Sequence, residues 1–176
     1  MSIADQICQL EADGKLTRYV PPQTRVLPKR RLFLSAAAVQ DRTDRQKSAV
    51  LLLVGRARID SALTRWVSGE RIYGDAKGKH CFLKRLEGPP SDIWEVRVVE
   101  CDVQARLFGR FAEQDTLILT KFHTRRYLGK RGSTEWRLAM TDCERAWNAL
   151  FGITPPHPGT TIHHFVSANC DDYPID

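Results

Sequence analysis

Three alternating segments between Ile93 and Phe122 constrain this chain more than any other feature. Ile93–Val99, Val103–Phe111 and Thr116–Phe122 are rich in β-branched and aromatic residues, and only Glu100–Asp102 and Ala112–Asp115 connect them. Connections this short leave room for hairpins and nothing longer, so the segments predict an antiparallel meander. Trp94, Val96 and Val98 share one face of the first strand, leaving Glu95 and Arg97 on the other. In the second, Val103, Ala105, Leu107 and Phe111 alternate with Gln104, Arg106 and Arg110. The period of two predicts a sheet with one buried face and one basic face.

The flanking segments read as helices and linkers. Ser2 caps a short helix to Ala12, with Ile3, Ile7 and Leu10 on one face and Asp13-Gly14 at its end. Lys15–Leu27 is polar and contains Pro21-Pro22, which reads as a linker. Arg30–Ala37 predicts a strand, and Asp41–Val67 a helix kinked or divided at Gly55. Lys79–Leu86 predicts an edge strand. After the meander, Trp136, Met140, Cys143, Trp147 and Leu150 form the apolar seam of a helix laid on a sheet, capped by Ser133 or Thr134 and stopped at Gly152. Its two tryptophans read as core.

The charge is unevenly placed. There are 27 Lys and Arg against 21 Asp and Glu, a net +6. Lys121, Arg125, Arg126, Lys130, Arg131 and Arg137 lie close together with only Glu135 opposing them, whereas the tail after Gly152 has aspartates and no Lys or Arg. A focused positive field is the usual footprint of polyanion binding, although a solvated basic loop has the same composition. The longest apolar run, Ala49–Val54, is far short of the roughly 20 residues of a membrane span. The acidic N-terminal segment does not resemble a secretion signal. Five cysteines without paired spacing fit reduced thiols, so the expected location is cytoplasmic, with no membrane partner.

No metal or cofactor motif is present: there is no Gly-rich nucleotide loop, no nucleophile elbow, and no zinc spacing. His163-His164, adjacent on an expected extended segment, would point to opposite faces. The constellation that could carry chemistry is Arg97, Arg106, Arg110, Lys121, His123, Arg125, Arg126 and Tyr127, with Lys130 and Arg131 in the loop beyond. Metal-independent RNA cleavage needs such a set. The ribose 2′-oxygen loses a proton and attacks phosphorus, guanidinium groups stabilise the phosphorane, and the departing 5′-oxygen takes a proton. Each residue also has a plainer reading. Arg97 and Arg106 could pair with Glu95 or Glu100, His123 could be a satisfied surface histidine, and Tyr127 could pack over the loop.

The stretch from Lys79 to Arg126 resembles the RelE/ParE toxin superfamily, in its HigB-like, phage-derived branch. The matching elements are Lys84-Arg85-Leu86, the strand Trp94-Glu95-Val96-Arg97-Val98, the strand around Arg106-Leu107-Phe108-Gly109-Arg110-Phe111, and Leu117 to Lys121-Phe122-His123-Thr124-Arg125-Arg126. The resemblance implies an α+β fold: a small twisted antiparallel sheet (RelE-like) with N-terminal helices packed on one face and a C-terminal helix, plus terminal extensions. It divides the chain into an N-terminal helix and linker (1–28), a toxin domain (29–152) and a C-terminal extension (153–176). It implies a toxin–antitoxin toxin, a ribosome-dependent endoribonuclease without cofactor, acting on mRNA on the ribosome and held by a helix-turn-helix antitoxin. Arg97, Arg106, His123, Arg126 and Tyr127 would be catalytic, and Arg110, Lys121, Arg125, Lys130 and Arg131 would bind RNA. The family's terminal Tyr or His has no secure counterpart, so Tyr127, His123 or a tail histidine would replace it. A non-catalytic binding module on the same scaffold and a gyrase-directed ParE-like toxin are the competing readings.

Overall fold

A computed structural model describes residues 1–22, 27–46, 48–74, 81–99 and 102–171. The chain opens with α1 (Ile3–Ala12), where the Ser2 hydroxyl accepts from Asp5 N and the Asp5 carboxylate accepts from Ser2 N. This reciprocal cap satisfies two donors that the first turn leaves open. Leu16–Arg18 then forms β1, where the polar composition predicted only linker. Its single apolar residue, Leu16, is buried, and pairing with β2 (Arg31–Ser35) satisfies its backbone.

Ser35 ends β2 by capping α2 (Ala36–Thr43), its hydroxyl accepting from Ala38 N. The long helix expected from Asp41 to Val67 is three pieces: α2, α3 (Ala49–Val54) and α4 (Arg56–Val67). Ser48 caps α3, and Gly55, at φ 87°, separates α3 from α4 in a conformation that a β-carbon disfavours. A short β3 (Ile72–Tyr73) precedes β4 (Leu83–Arg85), β5 (Trp94–Val98), β6 (Ala105–Glu113) and β7 (Thr116–Thr124). The predicted start of the edge strand at Lys79 and the expected connection at Glu100 lie outside the described residues. After β7 come α5 (Arg125–Leu128), α6 (Thr134–Phe151), α7 (Ile162–Phe165) and β8 (Cys170–Asp171), which pairs with β3. His163 and His164 therefore sit on a helical turn rather than an extended segment.

The protein is α+β, built on a six-stranded sheet of order β1-β2-β7-β6-β5-β4. The meander is antiparallel as expected, with β4 antiparallel at its edge. The sheet as a whole is mixed, because β2 runs parallel to β7. Short hairpins force antiparallel pairing, but the many residues between β2 and β7 impose no such constraint.

Both faces of the sheet are covered, which corrects the expectation of one buried and one basic face. On one side Leu32, Leu34, Trp94, Val96, Leu107, Phe111, Leu117 and Leu119 pack with α2–α4 and with Phe165 and Val166. On the other, Phe33, Phe108 and Ile118 meet α1 and α6 through Ile7, Leu10, Trp136, Met140, Cys143 and Trp147. The N-terminal helices thus divide, with α2–α4 on one face and α1 beside α6 on the opposite one. Both α6 tryptophans are core. The segments outside 29–152 contribute a sheet strand and core side chains.

A β-bulge in β7 decides which face its last side chains take. Phe108 pairs with Lys121 but Gly109 pairs with Leu119, so Thr120 is an extra residue. Its hydroxyl donates to Phe108 O, and its carbonyl accepts from the Ser35 hydroxyl. Gly109 is required here, since a β-carbon would lie 2.1 Å from Ile118 O. The bulge reverses the alternation of β7, and Lys121 and His123 turn from the Leu117/Leu119 side to the face of Arg106 and Phe108.

Candidate functional site

That register places Arg97, Arg106 and His123 in one row across β5, β6 and β7, because Arg97 opposes Arg106 and Arg106 opposes His123. Glu95, Phe108 and Lys121 form the adjacent row. Three of the five expected catalytic residues therefore share a face, and the bulge is the reason His123 joins them.

The arginines in this row are not open to solvent in the way a phosphate ligand requires. Arg106 is 2% exposed. Its Nε lies 3.3 Å from Glu95 Oε2, and its Nη atoms donate to Ala105 O (2.8 Å) and to Gln104 Oε1 (3.1 Å). Arg97 Nε is 3.8 Å from Glu95 Oε1. Burial raises the Glu95 pKa, while Arg106 and Arg97 pull it back. Burial likewise lowers the Arg106 pKa to about 10, Glu95 opposes that, and Arg97, Arg125 and Arg131 push it further down. Three guanidinium groups, Arg106, Arg97 and Arg131, and the Lys84 ammonium thus act on one carboxylate, and the cluster keeps a net positive charge although Glu95 offsets one cation. Arg110 is buried too, donating to Ser91 O (2.9 Å) and lying 3.4 Å from Glu144 Oε1. It is a structural cation beneath α6.

The exposed positive surface lies at the corner where β7 gives way to α5 and α6. Arg126, Lys130, Arg131 and Arg137 are exposed there, and Arg125 is half-buried, bonding Gly129 O and lying over the Trp136 ring at 5.7 Å. Thr124 caps α5 by accepting from Tyr127 N, which fixes the direction in which Tyr127 leaves the sheet.

His123 and Tyr127 form a second feature. Their rings are parallel to within 10° at a centroid separation of 5.7 Å, and His123 meets the Phe108 ring edge-on at 5.4 Å. Burial, aided by Lys121, lowers the His123 pKa to about 4, so the imidazole is neutral near pH 7. Its Nε2 is buried without a hydrogen-bond partner. Beside the pair opens a groove of about 470 Å³, lined by Asp41, Ser48, Lys121, His123, Tyr127 and Asp142 among others. Asp41 holds it together, accepting from Lys121 Nζ (2.9 Å) and from Phe122 N (2.9 Å).

Glu95 was legible in the sequence as a partner for Arg97 and Arg106, but Asp41 was not. The available signal was its i+3 spacing from Ala38, which sets a carboxylate on the inward face of α2. Among the described residues no group of His, Cys, Asp and Glu could hold a metal, and no helix is long and apolar enough to cross a membrane. Compared with family models, curated proteins and solved structures, the chain matches none.

Proposed function

We propose that this chain is a RelE-like toxin that engages translated mRNA on the ribosome and cuts it without a metal, in the cytoplasm and under the control of an antitoxin. The observation that supports this best is the gathering of Arg97, Arg106 and Arg131 around the single carboxylate of Glu95, with Arg125 adding its charge beside Arg106. Such a cluster draws a polyanion to the corner where Arg126, Lys130 and Arg131 are exposed.

The burial of Arg106 changes the assignment of roles. Arg126 and Arg131 are the guanidiniums able to meet phosphate oxygens and the charge of a phosphorane. Arg106 and Glu95 hold the strands and the local field behind them. The exposed Tyr127 phenol is the group free to hand a proton to the departing 5′-oxygen, while the neutral imidazole of His123 is the nearby acceptor.

One observation favours a second reading. A histidine with a pKa near 4 is a weak base, and an arginine sealed against a carboxylate contacts no substrate. Both fit a non-catalytic RNA-binding module on the same scaffold.

Expression with and without Arg126→Ala/Arg131→Ala, read by growth and by primer extension on translated mRNA, separates the readings. New 5′ ends and growth arrest, both lost in the double variant, support the toxin nuclease. RNA binding without new ends selects the binding module. Inhibition of gyrase supercoiling with no RNA binding sinks both.

A further inference from the structure

We infer that the groove beside the free edge of β7 takes an unstacked base of single-stranded RNA, with the Tyr127 ring as its stacking platform. This rests on the RNA reading above and adds which part of the nucleic acid enters the protein, and where.

The groove exists because β2 turns into α2 at Ser35, so β7 beyond Leu119 has no strand neighbour on that side among the described residues. The space between α3, β7 and α6 is about 470 Å³. Tyr127 stands at its rim, 58% exposed. An exposed aromatic ring normally reorients freely, but this one lies parallel on His123, which is itself packed edge-on against Phe108. A flat, pre-oriented ring next to exposed cations is the arrangement used for stacking bases of single-stranded nucleic acid.

The lining selects a base over a phosphate. Asp142 lies within the groove and disfavours an anion there, and Asp41 already neutralises Lys121, the one Lys or Arg in the lining. The cations that would hold phosphates are outside it: Arg126 immediately before Tyr127, and Lys130 and Arg131 just after α5. Inside are groups that match the mixed edge of a neutral heterocycle: the Ser48 hydroxyl, the Lys121 ammonium, the Asp142 carboxylate and an uncharged imidazole. Neither His123 ring nitrogen is hydrogen-bonded among the described residues, and Nε2 is buried, which leaves Nδ1 for a ligand. An extended peptide adding to β7 is disfavoured, because Thr120 O already accepts from Ser35 and Phe122 N already donates to Asp41.

The test uses the full chain and a single-stranded RNA hexamer carrying one 2-aminopurine, with a matched hexamer that is abasic at that position. Expected results are quenching of the 2-aminopurine on binding and weaker binding of the abasic hexamer. Tyr127→Leu should weaken binding on the order of tenfold and abolish quenching, and Tyr127→Phe should preserve both. Heparin binding should be equal for wild type and Tyr127→Leu. If the hexamer binds Tyr127→Leu as tightly as wild type but Arg131→Gln more weakly, the base pocket is refuted and RNA binding stands. If neither hexamer binds, both readings fall.

Discussion

Replacing Arg106 with Ala would leave the Glu95 carboxylate, 3% exposed at its side chain, with only the 3.8 Å contact to Arg97 Nε as an ion pair among the described residues. Breaking a buried pair by removing one partner costs about 3–5 kcal/mol. At about 2–4 °C of Tm per kcal/mol for a chain of this size, the midpoint should fall by roughly 6–20 °C. The double variant Glu95→Leu/Arg106→Met should behave differently. Burial shifts both partners toward their neutral forms, Glu95 upward and Arg106 down to about 10, so desolvation dominates at each. Removing both charges removes both penalties, and the double variant should lie within about 1 kcal/mol of wild type or above it. The pH dependence has a definite sign. A carboxyl whose folded pKa is raised contributes most below its unfolded pKa, and that contribution is lost as pH rises through the folded value. Arg106→Ala removes the group that lowers the Glu95 pKa most, so its stability should decline with rising pH more steeply than that of wild type. Urea unfolding followed by tryptophan fluorescence, for wild type, Arg106→Ala and the double variant across pH 4–8, measures all of this. Arg106→Ala with unchanged stability and lost RNA cleavage would refute the reasoning, because it would return Arg106 to the substrate.

Other expectations are as direct. His123 is neutral in the fold with a pKa near 4 against 6.5 when unperturbed, so it stabilises the protein fully above pH 6.5 and loses that contribution as pH falls toward 4. The shift corresponds to about 3 kcal/mol as an upper bound. Its NMR Cε1 resonance should not titrate between pH 8 and 5, and His123→Phe should flatten the acid limb of the stability curve. Gly109→Ala drives a β-carbon into Ile118 O, and should cost several kcal/mol or prevent folding; a soluble variant of wild-type Tm would contradict the bulge. Lys130→Gln and Arg131→Gln should leave Tm within about 1 °C, yet each should reduce the salt slope of RNA binding by about 0.7. The Cys143 thiol, pushed up to about 11 by burial, should resist iodoacetamide in the folded protein, whereas the exposed Cys8 should be alkylated readily, as mass spectrometry of timed samples would report.

Local chemistry settled much of this protein before any contact was known. Ser2 capping α1, the division at Gly55, the hairpins of the meander and the Trp136–Trp147 seam of α6 all arise from neighbouring residues, because caps, turns and amphipathic periods act over a few positions. What the sequence left open depends on residues far apart in the chain. The parallel pairing of β2 with β7, the strand at Leu16, and the approach of α1 to α6 are choices among long connections that no local pattern restricts. The site shows the same division. The six cations between Lys121 and Arg137 were visible as composition, but their roles were not. A single extra residue at Thr120 decides that His123 faces Arg106, and packing decides that Arg106 is buried against Glu95 of β5 and Arg110 against Glu144 of α6 while Arg126 and Arg131 meet solvent. Strand alternation assigns a side, but only packing decides whether that side is water or protein, since desolvation depends on what the rest of the fold lays over it.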